Sequence, residues 1–239
     1  MSPWLAATTV GIGDCEAIRD GFLRQPANAI SSLAFLFAAA WIAWRASKVR
    51  SERAELLVLA AIVGANGIGS FGFHGPFGDS FRWFHDLSAL SVPLFVAVHD
   101  AGLVRGTAIR RRLTGVAVGV VTIGALLAAW PALLVPLGFV GSAAAALGEL
   151  AAFRAGYRPR PGHATRVQLA AWAVVLGALV LAGLAFLLGR STSPWCRPES
   201  LLQAHAAWHL LVALGSIGYA WAAFELRGEP PDRDARPPS

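Results

Sequence analysis

Seven long apolar runs separated by short polar loops fill nearly the whole chain: residues 27–46, 54–73, 84–104, 113–129, 131–153, 166–189 and 201–225. Wound as helices at about 1.5 Å per residue, they have the length needed to cross a hydrocarbon core of about 30 Å. Lipid offers no hydrogen bonds, so a spanning segment must satisfy its backbone internally, and a helix does this. Charged residues make up only 14% of the 239 positions and hydrophobic ones 56%, against about 25% charged in soluble domains. The sequence therefore predicts an all-α polytopic membrane protein, a bundle of seven transmembrane helices over residues 27–225. Residues 1–26 form an extracytoplasmic N-terminal segment, and 226–239, rich in Pro, Asp and Arg, a disordered cytoplasmic tail. No room remains for a separate soluble domain. The opening MSPW lacks the basic start of a signal peptide. Pro131 suits the first turn of a helix, so the fourth and fifth runs are expected to meet in a tight hairpin at Trp130-Pro131.

The net charge of +6 does not mark a nucleic-acid surface, because the basic residues sit in short loops between apolar runs. Of the 20 Lys and Arg, five (Arg19, Arg24, Arg82, Arg190, Arg197) fall on one side of the seven-span layout and the other fifteen on the opposite side. The positive-inside bias puts the richer side in the cytoplasm, with the N-terminus outside and the C-terminus inside. The Ala- and Arg-rich composition looks bacterial, which makes the expected location an inner membrane with its outer face toward the periplasm. Abundant Ala and Gly suit close helix packing in lipid and carry no information about activity.

Ionisable groups within membrane spans are costly and mark function. Ser70 and His74 stand one turn apart at the outer end of the second run, with Asn66 a turn deeper; His85 and Asp86 open the third, and His205 and His209 the seventh. Charge bias and histidine position are separate observations, and both put these groups at one depth near the outer surface. His205 and His209, at i and i+4, share a helix face. They can offer two imidazoles to one ion and His74 a third, and three protein ligands plus water is the pattern of catalytic zinc. Alone, the pair fits two hydrogen-bonded interfacial histidines equally well. His85 neighbours the site, but its adjacency to Asp86 is expected to turn it elsewhere on the helix, in a supporting place. His99 and Asp100, at the inner end of the third run, read as structural; Glu149 is expected to reach water along its own stem, and His163 lies in a basic loop.

The two cysteines, Cys15 and Cys196, both fall on the outer side, where disulfides persist. A Cys15–Cys196 bond is expected and would hold the N-terminal segment beside the seventh helix. The competing reading is two reduced thiols available to a metal.

The segments CEAIRDGFLRQPANAISSLAF, GIGSFGFHGPFGDSFRWFHD and HAAWHLL resemble the alkaline ceramidases, members of a wider superfamily of seven-helix hydrolases that also takes in adiponectin-receptor-like and Per1-like proteins. The resemblance runs from Cys15 to about Tyr219 in the order and helix placement of its motifs. It implies zinc held by His74, His205 and His209, catalytic roles for Ser70 and Asp86, and the Cys15–Cys196 disulfide. The stretch from His74 to Asp86 is one residue longer than in those enzymes, which leaves His85 as the alternative to Asp86. The family also binds calcium near the CE motif. Asp14 and Glu16 remain as candidate calcium ligands, with Asp20 nearby, but no Asn follows Glu16 at the family's spacing and Gln25 stands where a further Glu belongs. Calcium favours several anionic oxygens, and the other reading of Glu16 is a cap or ion pair in the N-terminal segment.

The implied activity is a zinc-dependent hydrolysis of the linear amide bond of ceramide or another N-acyl lipid, giving a fatty acid and an amine, with the membrane supplying the substrate. Zinc activates water and polarises the carbonyl; Asp86 would carry the proton to the leaving nitrogen and Ser70 would support the oxyanion. The alternatives are a receptor-like protein that keeps zinc for structure, and a transporter. A transporter needs polar groups along a full path, whereas here they gather at one end.

Overall fold

A computed structural model describes residues 13–76, 78–159 and 164–226. Those residues contain seven helices long and apolar enough to cross a membrane. They are α1 (Pro26–Ala46), α2 (Arg53–His74), α3 (Asp79–Val104), α4 (Ile109–Ala129), α5 (Leu134–Arg154), α6 (Arg166–Leu188) and α7 (Ala204–Phe224). A 3-10 turn at Pro131–Leu133 makes the tight α4–α5 hairpin expected at Trp130-Pro131. The tail from residue 227, the first twelve residues and His163 lie outside the described residues.

The helix ends differ from the apolar runs where hydropathy is a poor guide. α3 begins at Asp79 and α4 at Ile109 because their first turns, DSFRW and IRRR, are polar but fully helical. Leu201 and Leu202 are apolar yet precede α7, and Leu202 is 93% exposed.

α1 packs between α2 and α7; α3 lies against α2 on one side and carries α4 and α5 on the other; α6 packs on α7. The shared core is built from Phe35 and Ile42 of α1, Leu56, Leu59 and Val63 of α2, Phe95 of α3, and Tyr219 and Phe224 of α7. Large apolar side chains also point outward, among them Phe139, Val140 and Leu147 on α5 and Leu176, Val180 and Leu184 on α6. Water would oppose a surface so apolar; hydrocarbon accepts it, and the architecture is that of an integral membrane protein.

Two glycines set how closely elements meet at the end where α2 and α6 finish. A Cβ on Gly69 would lie 2.8 Å from the backbone N of His85, and one on Gly189 would lie 2.6 Å from that of His205. Only glycine lets α2 touch the start of α3, and the end of α6 touch the start of α7, at these points. The N-terminal segment is laced across the same end. Cys15 N donates to Gly189 O (2.8 Å), Ala17 N to Pro198 O (2.9 Å) and Gln25 N to His74 O (2.9 Å). The Cys15–Cys196 disulfide is formed, with the Cα atoms 5.3 Å apart.

The opposite end is held by buried ion pairs. Arg112 of α4 donates to both oxygens of Glu55 on α2 (2.7 and 2.8 Å). Arg158, just beyond α5, donates to Asp100 of α3 (2.6 Å) and to both oxygens of Glu149 (3.0 and 2.8 Å), and the Tyr219 hydroxyl also donates to Asp100 (3.0 Å). Arg45 pairs with Glu225 at the same end. His99 and Asp100 are buried and tied into this network, in keeping with a structural role. Glu149 adds a partner to what was expected: its side chain stays 25% accessible, and its carboxylate is bonded by the Arg158 guanidinium.

Removing one partner of a buried ion pair strands the other charge, at a cost of roughly 3–5 kcal/mol. Arg158→Met is therefore expected to lower the thermal unfolding midpoint in detergent clearly, while leaving metal content at the far end of the bundle unchanged. A midpoint within a degree of wild type would mean that the network contributes little.

Candidate metal centre

Four imidazoles meet at the glycine-packed end: His74 from the end of α2, His85 from the second turn of α3, and His205 and His209 from the first turns of α7. One ring nitrogen of each lies within 4.8 Å of those of the other three, and all four residues are buried. The ring centroids of His205 and His209 are 4.7 Å apart, and those of His74 lie 5.1 and 5.3 Å from them. Nitrogens bound tetrahedrally at about 2.0–2.1 Å sit about 3.3 Å apart, so side-chain shifts of about an ångström would close these rings on an ion. Nε2 of His74, His85 and His205 is buried without a hydrogen-bond partner. Buried polar groups rarely go unpaired, and three unpaired nitrogens gathered with a fourth imidazole can hold a metal ion.

Three of the far nitrogens are hydrogen-bonded, and the fourth, His205 Nδ1, faces a carboxylate. His74 Nδ1 donates to Gln25 Oε1 (2.6 Å), and Gln25 is itself fixed by donating through Nε2 to Glu16 O (2.9 Å). His209 Nδ1 and Ser31 Oγ are 2.8 Å apart. Asp14 Oδ1 lies 3.4 Å from His205 Nδ1, near enough for attraction though outside hydrogen-bond geometry. His85 Nδ1 meets Asp86 Oδ1 at 3.0 Å. Such partners turn the free lone pair toward the centre and raise its basicity. Asp14 and Asp86 also place carboxylates behind two of the rings, which offsets the charge a cation would bring.

The expected set of His74, His205 and His209 is brought together, and Ser70 with it. Ser70 Oγ is 3.2 Å from His209 Nε2 and 2.7 Å from Ser32 Oγ, so its hydroxyl lies at the edge of the centre. Asp86 stands one step further out, against the far nitrogen of His85. His85 is the difference from the sequence reading: it points into the cluster instead of away from it. Neighbouring helix positions are about 100° apart, so only one of the two can face His74. The contact of α2 with α3 at Gly69 decides that it is His85.

Asp14 and Glu16, the candidate calcium ligands, are engaged separately. Asp14 faces His205, while Glu16 accepts from Ala27 N and Asn28 N (both 2.8 Å), closing the exposed N-terminus of α1. Burial pushes the Glu16 carboxyl above the ordinary carboxylate range, and those two N–H groups pull against it. Sequence reasoning passed over Gln25, Ser31 and Ser32 as binding partners, since polar residues at a helix start are usually caps. It also passed over Asn28, whose side-chain amide is buried with neither atom hydrogen-bonded; with Asn66 Nδ2, also unpaired, it offers polar contacts to water or a ligand near the centre. No protein-family model matches this chain, and no curated protein matches it.

Loss of an outer-shell partner typically costs about 10–100-fold in metal affinity. Gln25→Leu, which leaves His74 Nδ1 without its acceptor, is expected to weaken zinc binding by about that factor, measured by competition with a chelator. An unchanged affinity would show that Gln25 does not orient His74.

Proposed function

We propose that this protein is a membrane-embedded, zinc-dependent amidohydrolase that cleaves the amide bond of ceramide or a related N-acyl lipid. One observation carries the reading. Three imidazoles, His74, His205 and His209, converge with their far nitrogens backed by Gln25, Asp14 and Ser31, next to Ser70 and the His85–Asp86 pair. The donor set fits zinc, a borderline-soft ion that imidazole suits. The resemblance of the Ser-x3-His, Asp and His-x3-His motifs to the alkaline ceramidases supports the amide and the ceramide-like substrate.

Zinc bound there would act as a Lewis acid toward a carbonyl and make water acidic. The chain's own groups supply the rest. Ser70 donates a hydrogen bond to the carbonyl oxygen as it gains charge. Asp86, directly or through His85, takes a proton from the attacking water and delivers it to the amide nitrogen, which leaves only when protonated. The carbon–oxygen bond forms, the carbon–nitrogen bond breaks, and fatty acid and amine separate. The loop charges support an orientation with this centre toward the outside of a bacterial inner membrane. A lipid amide at interfacial depth would reach the site there with its acyl chains still in hydrocarbon.

The fourth imidazole favours a second reading. A centre closed by four protein ligands is structural in other zinc sites, which would suit a receptor-like protein. In addition, a crevice of about 580 Å³ between α3, α4 and α5 is lined by residues such as Ala97, Arg105 and Leu147, at the far end from the histidines.

Purified protein incubated with a panel of ceramides and other N-acyl lipids separates the two. Fatty-acid release by wild type is expected, falling by about 10²–10⁴ in Asp86→Ala and disappearing in His209→Ala. Zinc should be lost from His209→Ala and retained in Asp86→Ala. Equal release by all three proteins removes the hydrolase; tightly held zinc with no release from any lipid selects the receptor-like reading.

A further inference from the structure

We propose that His85 is an exchangeable fourth ligand of the metal centre, closing it at rest and yielding its position to the oxygen of an incoming substrate. The inference rests on the zinc-hydrolase reading and deepens it by naming how the site is regulated.

His85 meets the requirement for a ligand as well as its neighbours do. Its Nε2 is buried, lacks a hydrogen-bond partner and belongs to the same four-nitrogen group. What distinguishes it is how it is held. His74 is tied to Gln25 and His209 to Ser31 by hydrogen bonds, and His205 faces the Asp14 carboxylate at 3.4 Å; all three partners are far away in sequence, in the N-terminal segment or α1. The far nitrogen of His85 meets only Asp86, the next residue on the same helix, so this contact can travel with the ring.

Exposure points the same way. The side chains of His85 and Asp86 are 10% and 15% accessible, against 4% for His205, while His74 and His209 are wholly buried. The edge of the centre marked by His85 and Asp86 is therefore its least sealed side. His85 also lies against Phe73, with centroids 5.6 Å apart and planes 30° from parallel. That flat contact lets the imidazole slide along an aromatic face while remaining covered. Finally, three of the imidazoles come from α2 and α7, which both pack extensively on α1, whereas His85 alone comes from α3, which has no comparable packing on α1 among the described residues.

The chemistry gives the exchange a purpose. Four neutral imidazoles make a closed tetrahedral site; removing one leaves the three-ligand, open-position form that catalysis needs. Zinc imposes no d-electron geometry of its own, so replacing one neutral nitrogen by an oxygen is a modest change for the ion.

X-ray absorption at the zinc edge, on wild-type protein in lipid nanodiscs, counts the imidazoles without any mutation. Four are expected in the unliganded protein, and three plus oxygen once acetohydroxamate is added to saturation. Three imidazoles plus oxygen in the unliganded protein, or four that persist at saturating hydroxamate, overturn the proposal and leave the hydrolase reading standing. Protein that holds no zinc overturns both. The cobalt(II) form gives a second readout: His85→Ala should keep one equivalent of cobalt, shift its visible bands and release it to chelator on the order of tenfold faster. An unchanged cobalt spectrum in that variant overturns the proposal as well.

Discussion

An imidazole nitrogen buried without a partner costs about 1–3 kcal/mol, and this bundle turns three such nitrogens toward one another, on His74, His85 and His205. Lipid on the outside of the helices cannot relieve that cost as water would. The far nitrogens have neighbours, so the rings are not random polar residues caught in a core. Their ring nitrogens converge, and a shared cation could satisfy all of them at once. The glycine contacts at Gly69 and Gly189, the amide of Gln25, and the carboxylates of Asp14 and Asp86 all lie at this convergence.

Helices in lipid gain no hydrophobic driving force from meeting one another, and their association rests on packing and hydrogen bonds. Placing atoms to within an ångström therefore needs additional ties, and the N-terminal segment supplies them. The disulfide fixes Cys15 to the α6–α7 loop, Glu16 closes the start of α1, and Gln25 bonds through both backbone and side chain to His74. One short stretch thereby links α1, α2, α6 and the entry to α7. A covalent clamp of this kind persists in oxidising compartments.

The seven helices were legible because hydropathy and helix length report the same physical demand. The polar first turns of α3 and α4 were not, since they are helical without being apolar. His74, His205, His209 and Ser70 could be assembled from depth and from i, i+4 spacing alone. His85 could not. The spacing allows either it or Asp86 to face the centre, and the rotation of α3 depends on the close approach of α2 at Gly69, a long-range contact. The pairing of Glu149 was hidden for a similar reason, because its partner Arg158 lies past the helix end in what reads as a solvent loop. Gln25, Ser31 and Asn28 look like ordinary helix-start residues until the α7 histidines are set beside α1.

The two ends of the bundle handle buried polarity in opposite ways, and the contrast bears on function. At one end, carboxylates meet guanidinium groups within the chain: Asp100 and Glu149 share Arg158, and Glu55 takes Arg112. Such a network matches carboxylates with guanidinium groups of the chain itself, leaving Asp100 Oδ2 as its one unpaired carboxylate oxygen among the described residues, and locks helices together. At the other end, Asp14 and Asp86 face imidazoles. Carboxylates and lone pairs are collected there, and the unpaired nitrogens have no hydrogen-bond partner among the described residues. A protein that only needed a rigid bundle could have repeated the first solution. The second end gathers imidazole lone pairs and carboxylates instead, a donor set that could hold a metal ion.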